Sequence, residues 1–378
     1  MKFFVSDSTF TNDKSKITPE KFSFFNDLIS SDNDKYINAV GYSAPTSITV
    51  EGNLIVAVGD SIFKTVETTL TTSNLDSGSS FTLGKDYYIY VCDPSNGDVT
   101  ADMNEVIKIS LSSTYPSGYT ASNSRKIGGF HYGRVRRVNA VNWNPVGTDG
   151  TTEYGTNWQT NVYTGIIPNS VWTLLHKPAC DPEGMVWING DLWVDIYLSS
   201  DAGNQGVQST YNSTPITGTE GLHWYYAVER ARRVGKRLPT YAEWCAIGLG
   251  TPPGGASGYT YCWCNQSARK PTGTHSYAVS SFNVTDAVGN VWEWLDEFIH
   301  DPTASSAGWY DVMSDKDGGV GQLYMYSNTG LHALRSCGGW DSAAYCGRRT
   351  VNCSNNPWVV TAGNGVRCVC GHRSKLIV

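Results

Sequence analysis

Apolar and polar residues alternate in short runs through the first half of the chain. They gather into helical stripes only in the second half. Residues 47–58 (SITVEGNLIVAV) carry β-branched alternation broken at Glu51, Gly52 and Asn53, which predicts a hairpin. Tyr87–Cys92 and Lys126–Tyr132 predict two more strands, the first closed by the turn residues Asp93–Gly97. Residues 1–45 are polar and mixed; a short helix is expected near Pro19–Leu28, and the segment is otherwise unassigned. An all-β, sandwich-like domain is expected over residues 46–140. The Gly/Thr/Asn-rich stretch that follows predicts a linker over 141–165. Arg134, Arg136 and Arg137 just before it read as a solvated loop edge.

Trp224, Ala227, Val228, Ala231 and Val234 share one helical face, predicting a helix over 219–234 with Gly235 in the left-handed position after it. Thr240 and Glu243 form a capping-box pair at the start of a second helix, which the pattern carries to about Leu249 and stops at Gly250. Asn290–Trp294 alternates large apolar and polar residues, predicting a half-buried strand. Glu293, Asp296 and Glu297 are expected on its wet face. Lys236 and Arg237 follow a helix C-terminus, where the dipole favours cations.

Composition narrows the function. The 378 residues include 28 Lys+Arg against 34 Asp+Glu, a net charge of −6, so no nucleic-acid partner is expected. Only 16% of residues are charged, and 13 Trp, 22 Tyr and 11 Phe can bury a large apolar area, which excludes coiled coil and wholesale disorder. No apolar run approaches the roughly 18 residues of a membrane span, and none is expected to insert. Lys2 precedes only three apolar residues before Ser6, so no signal peptide is expected and synthesis in a cytoplasm is. Trp143 and Trp158 are the only tryptophans before residue 170, and nine of the ten Cys lie at or beyond Cys180. Residues 166–378 therefore read as a separate, densely packed domain, giving an α+β chain.

The candidate chemistry is sparse. No phosphate-binding glycine loop and no HExxH occur. Cys262/Cys264 and Cys368/Cys370 could make a four-thiolate zinc site, but C-x-C is closer than the usual structural spacing and also fits core thiols on one strand face. The cysteines are expected to be reduced and mostly buried, and no metal or cofactor is expected.

Several segments together carry a resemblance: Gly235–Trp244 (GKRLPTYAEW), Gly289–Trp294 (GNVWEW), Cys337–Trp340 (CGGW) with Gly347–Arg349 (GRR), and Gly365–Cys368 (GVRC). This order resembles the C-type-lectin-like domain of the formylglycine-generating enzyme superfamily. Within it the chain is similar to the variable receptor-binding proteins of diversity-generating retroelements, the phage major tropism determinant group. Gly84–Asp93, Pro116–Thr120, Arg125–Tyr132, Asp181–Met185 and Leu192–Leu198 add to the likeness. The resemblance implies a lectin-like ligand-binding domain of two helices, short antiparallel strands and long loops over 166–378. It implies variable ligand-binding positions at Gly339, Asp341, Ser342, Ala343, Tyr345, Asn352, Ser354, Asn355, Val359, Thr361, Gly363 and Asn364. Trp340, Gly347, Arg349, Gly365 and Arg367 would form the scaffold. Adenine-directed mutagenesis of Asn codons cannot yield Lys, Glu, Gln, Met or Trp, and none of the twelve is one of these. The variable side chains are expected to point outward, because exposed substitutions usually cost within about 0.5 kcal/mol and core ones several. Tyr345 is the expected energetic anchor, with Trp358 as an alternative that could instead be core.

The implied function is host attachment at a virus tail-fibre tip, with a cell-surface protein or glycan as partner and a homotrimer as assembly; a bacterial cell-surface location is the alternative. Residues 1–45 do not resemble the family's N-terminal prism domain. Two other readings compete with host attachment. A formylglycine-generating oxidase needs two cysteines for copper, but Asp341 stands where the partner of Cys346 would be, and Cys353 is wrongly spaced. A calcium-dependent lectin needs an EPN or QPD loop, which Asn355, Asn356 and Pro357 only echo.

Overall fold

The computed structural model describes residues 29–31, 33–39, 45–59, 61–93, 107–301, 308–311, 322–325 and 330–373. The helix expected near Pro19–Leu28 and the turn at 94–97 lie outside those residues. Lys85–Cys92 and Ser124–Arg136 pair antiparallel as the spine of a five-stranded sheet. Ile107–Ser110 flanks the first, and Val162–Ile166 and Trp172–Thr173 flank the second. Gly128 and Gly129 are required where Trp172 crosses. A Cβ on the first would sit 2.4 Å from the Trp172 carbonyl oxygen, and one on the second 2.5 Å from that of Tyr87. Two small sheets complete this half, built from Ile37–Ala39, Ile48–Val50 and Thr68–Leu70, and from Ile29–Ser30, Ile55–Val58 and Ser61–Lys64. Their apolar faces meet the spine in a core that includes Tyr36, Ile48, Val56, Phe63, Tyr87 and Phe130.

Three expectations change here. The turn at Glu51–Asn53 forms, but its flanking strands do not pair with each other; they part into the two small sheets. Thr65 splits them: its N–H donates to Leu54 O (2.9 Å) and its hydroxyl to Glu51 O (2.7 Å). Residues 141–165 are folded rather than a free linker, since Val162–Ile166 pairs with Arg136–Tyr132 and Trp158 is buried. Arg136 is buried, not a loop edge. It donates to the carbonyls of Val279 (2.5 Å), Trp158 (2.7 Å) and Tyr277 (2.7 Å), lone pairs that would otherwise be unsatisfied.

In the second half, helix α1 spans Trp224–Arg233 and α2 spans Tyr241–Ile247. The first starts later than predicted because His223 Nδ1 accepts the Tyr226 N–H (3.2 Å), while Thr217 and Glu220 cap a separate turn. The Thr240/Glu243 capping box forms, and Gly235 takes φ +74° as expected. The second helix ends at Gly248, two residues early. A six-stranded sheet runs Gly308–Asp311, Gln322–Met325, Gly347–Asn355, Gly330–Cys337, Trp292–Asp301, Asn364–Gly365.

A buried ionic frame underlies that sheet. Arg367 is fully buried and donates to Glu293 (3.1 and 3.2 Å) and to the carbonyls of Asp195 (3.0 Å), Ile196 (2.9 Å) and Thr285 (2.7 Å). Lys236 Nζ meets Asp195 Oδ1 at 2.6 Å, both side chains buried. Glu293 thus departs from its expected wet position, because Arg367 is its buried counter-charge. Burial pushes the Glu293 carboxyl up to about 7, against the pull of Arg367. Asp296 is exposed as expected, and Glu297 is half-buried, accepting the Tyr241 N–H at 2.7 Å.

Candidate functional site

Residues 339–364 leave the sheet after Cys337, turn, return as Gly347–Asn355 and loop back to the edge at Asn364. The first bend is set by close approach: a Cβ at Gly338, which has φ +87°, would lie 2.5 Å from Cys346 Sγ. Trp340 is half-buried and held by backbone bonds, its N–H donating to Asn290 O (2.8 Å) and its carbonyl accepting from Gln266 (2.8 Å). A short turn, Ala343–Tyr345, follows and is tied down by Ala343 N–H to Cys264 O (2.9 Å). Gly347 pairs with Cys337, Gly365 with Glu293, and Arg349 O accepts the Tyr241 hydroxyl (2.8 Å). A Cβ at Gly365 would meet Val291 Cγ2 at 2.7 Å.

The expected outward set divides. Asp341 and Tyr345 are exposed, and Ser342, Ala343, Ser354, Asn355, Val359, Thr361 and Gly363 are half-exposed. Gly339, Asn352 and Asn364 are buried, contrary to expectation. Each has a physical cause. A Cβ at Gly339 would sit 3.0 Å from Trp292 Cδ1. Asn352 Oδ1 accepts from the Ser354 N–H (2.8 Å) and hydroxyl (2.6 Å). Asn364 lies at the sheet edge opposite Trp292, accepts from Arg335 and donates to Asn355 Oδ1 (3.1 Å).

Sequence reasoning missed the support beneath the face. Tyr345 lies flat on Trp309, with ring centroids 4.4 Å apart and planes 5° apart. Trp309 in turn faces Trp292 at 6.5 Å and 20°, and the Arg335 guanidinium sits 4.8 Å over the Trp292 ring. Arg335 also reaches Ser354 Oγ at 3.3 Å, and burial lowers its pKa to about 10. One stack thus runs from a sheltered cation to the exposed tyrosine, fixing the tyrosine ring before any ligand arrives. Arg335 stands two residues before Cys337 on one strand, a period-two signal; nothing in the local pattern singles out Trp309. Trp358 is 59% exposed, so it is not core.

This surface offers an aromatic anchor, small hydroxyl and amide groups and one exposed carboxylate, a mixture suited to adaptable binding. Cys346 is buried and its thiol donates to Gly339 O (3.2 Å); burial pushes its pKa well up, the opposite of an activated thiol. Cys262, Cys264 and Cys346 share one apolar cluster, while Cys370 lies elsewhere, against Cys180, so the two C-x-C pairs do not converge. Among the described residues no group of His, Cys, Asp or Glu is arranged to hold a metal. No helix among them is long and apolar enough to cross a membrane. A cavity of about 510 Å³ between the halves, with Asp86, Tyr88, Asp181, Glu183 and Lys236 in its wall, touches none of residues 339–364.

Comparison with known proteins agrees with this layout. Residues 38–159 match the family described as the Mtd second domain, and residues 156–371 match that of sulfatase-modifying factor enzyme 1-like domains. A tail fiber receptor-binding protein of Bordetella phage BPP-1 is 28% identical over 361 residues, covering 90% of this chain and 83% of that one. Solved structures of the Major Tropism Determinant, variants M1 and P3c, each give a TM-score of 0.67 at 24% and 23% identity, covering 93% of this chain and 87% of theirs. The fold is therefore α+β, an all-β part followed by a C-type-lectin-like one.

Proposed function

The chain belongs, through residues 156–371, to the family of sulfatase-modifying factor enzyme 1-like domains, and on that premise we propose that it is a receptor-binding protein of a virus tail fibre. It attaches the particle to a host by presenting a changeable face on a fixed lectin-like frame. The observation that carries this reading is the likeness to the phage BPP-1 receptor-binding protein, which runs through both halves of the chain rather than through the shared lectin scaffold alone. The proposed contact residues are Asp341, Ser342, Ala343, Tyr345, Ser354, Asn355, Val359, Thr361 and Gly363, all open to solvent to some degree. The partner is a cell-surface protein or glycan, and the location is the fibre tip of the virion. A homotrimer would present several such faces at once, so modest single-site affinity suffices.

The oxidase reading finds no support in the local chemistry. Cys346 is a buried, protonated thiol with an exposed Asp341 where a second cysteine would be needed. Fold membership alone carries no activity.

Labelled protein, incubated with the bacterium that carries or is infected by its virus, should bind the cell surface and block particle adsorption. Replacing Asp341, Tyr345 and Asn355 together with Ala should abolish both effects. Binding that survives the triple replacement with the fold intact would remove the face from the function. A near-identical genomic copy of the segment encoding 339–364, differing only at adenines and beside a reverse transcriptase gene, is the expected source of variation.

A further inference from the structure

Cys180 and Cys370 lie 190 residues apart in the chain and face each other beside a short ladder. Pro178 and His372 form an antiparallel bridge. The Ala179 N–H donates to Gly371 O (2.8 Å) and the Arg373 N–H to Lys177 O (2.9 Å). Those two bonds flank 178/372, marking it as a non-hydrogen-bonded pair. Two residues further along each segment, past the end of this ladder, Cys180 and Cys370 bring their side chains together. Their sulfurs are 2.9 Å apart, and both thiols are free. Cys370 is buried, while Cys180 is half-exposed, with its sulfur also 3.4 Å from the Met185 thioether. Both pack in the apolar cluster that joins the β half to the start of the lectin half.

We propose that Cys180 and Cys370 are a disulfide-forming pair that closes when the chain passes from a reducing cytoplasm to an oxidising medium, stapling the C-terminal strand to the segment that enters the lectin half. The oxidant is a low-molecular-weight disulfide such as oxidised glutathione. Cys180, the member that solvent reaches, loses its proton and attacks one sulfur of that disulfide; the S–S bond breaks and one thiolate leaves. Cys370 Sγ, as thiolate, then attacks Cys180 Sγ, and the second small thiolate leaves. The two cysteines together lose two protons and two electrons, and the small disulfide becomes two thiols. Once Cys180 is held in the mixed disulfide it no longer donates to Cys370, and the nearby Lys236 ammonium is what favours the Cys370 thiolate in the second step.

The test uses the full chain, incubated with either dithiothreitol or oxidised glutathione, alkylated and mapped by mass spectrometry without reduction. The expected product is a Cys180–Cys370 linked peptide lighter by two hydrogens, with no glutathione retained at Cys180. Oxidation should raise Tm by roughly 5–10 °C. Cys180→Ser and Cys370→Ser should abolish that shift, and Cys180 should retain glutathione in the second variant. Cys245, the other half-exposed thiol, serves as the control. Glutathione persisting on Cys180 of the unaltered chain, or both thiols alkylated after oxidation, would overturn the proposal, and that readout needs no variant to fold.

Discussion

The ionic frame around Arg367 and the loop face around Tyr345 sit side by side on one sheet, yet they use polar groups in opposite ways. Arg367 spends its guanidinium on one carboxylate and three carbonyls, all out of water. At the face, Asp341 and Tyr345 project into solvent, and the loop is shaped mainly by backbone bonds such as Ala343 N–H to Cys264 O. A buried polar group is constrained by everything it satisfies, whereas an exposed one is constrained by its own backbone. Tolerance to substitution is therefore a matter of hydrogen-bond closure and not of distance from the core, because frame and face are neighbours.

The harshest way to break this contrast is Arg367→Met. It leaves the buried Glu293 carboxyl without its partner and takes a donor from the Asp195 and Thr285 carbonyl oxygens, so a loss of roughly 3–5 kcal/mol is expected in urea unfolding. Arg367→Met with Glu293→Leu should recover more than half of that, since the unpartnered buried carboxyl is then gone. A single variant within about 1 kcal/mol of the parent would show that the frame is not held by charge.

Asn364→Ala tests the border. By position it belongs with the variable residues, but it is buried and bonded to Arg335 and Asn355. Removing it leaves the Arg335 cation short of an acceptor, and roughly 2–3 kcal/mol should be lost. A neutral result would return Asn364 to the face.

Much of this division was legible in the sequence, and the misses share one cause. Most strands, both helices, the capping box and Gly235 follow from local periodicity and backbone geometry, which a sequence displays, while Gly365 follows from the family resemblance. The misplaced polar residues are Glu293, Arg136, Asn352 and Asn364, and all but Asn352, which bonds to Ser354, are buried with partners remote in sequence. Arg136 meets Val279, and Glu293 meets Arg367. Periodicity assigns a polar residue to water; only the fold reveals a partner. Trp309 escaped notice for the same reason, as its role comes from the ring that stacks on it.

Acid should act through a buried histidine and not through the exposed face. His275 is buried with its ring edge-on to Trp263, centroids 4.6 Å apart, and its Nδ1 accepts the Tyr277 (3.1 Å) and Ala278 (3.2 Å) N–H groups. Burial, aided by Arg134, lowers its pKa from 6.5 to about 4. As pH falls below 6.5 the unfolded chain takes up a proton that the folded one refuses. Stability present above that pH is thus lost on acidification, by about 2 kcal/mol at pH 5, with no further loss once pH is below the folded value. Chemical denaturation at pH 7.5 and 5 should show the loss, and His275→Asn should flatten it. An unchanged pH dependence in that variant would place the sensitivity elsewhere.

On the face the effects shrink. Tyr345→Ala removes one ring contact with Trp309 and should cost about 1 kcal/mol of stability while removing cell binding. Equal loss of both would mean that the tyrosine holds the loop rather than the ligand.

The smallest effect separates the regions most cleanly, because it changes one residue type in two settings. At Gly363 no heavy atom lies within 4 Å of where a Cβ would stand. Its carbonyl already accepts the Trp292 N–H at 2.8 Å, so the backbone stays placed whatever side chain is added. Gly363→Tyr should therefore shift stability by no more than about 0.5 kcal/mol and alter which cells are bound. The same change at Gly339 drives a ring toward Trp292, 3.0 Å from the new Cβ, and must push the stack beneath Tyr345 aside. If both variants melt alike, the boundary between frame and face does not run between these two glycines, and position along the loop, not packing, decides what can vary.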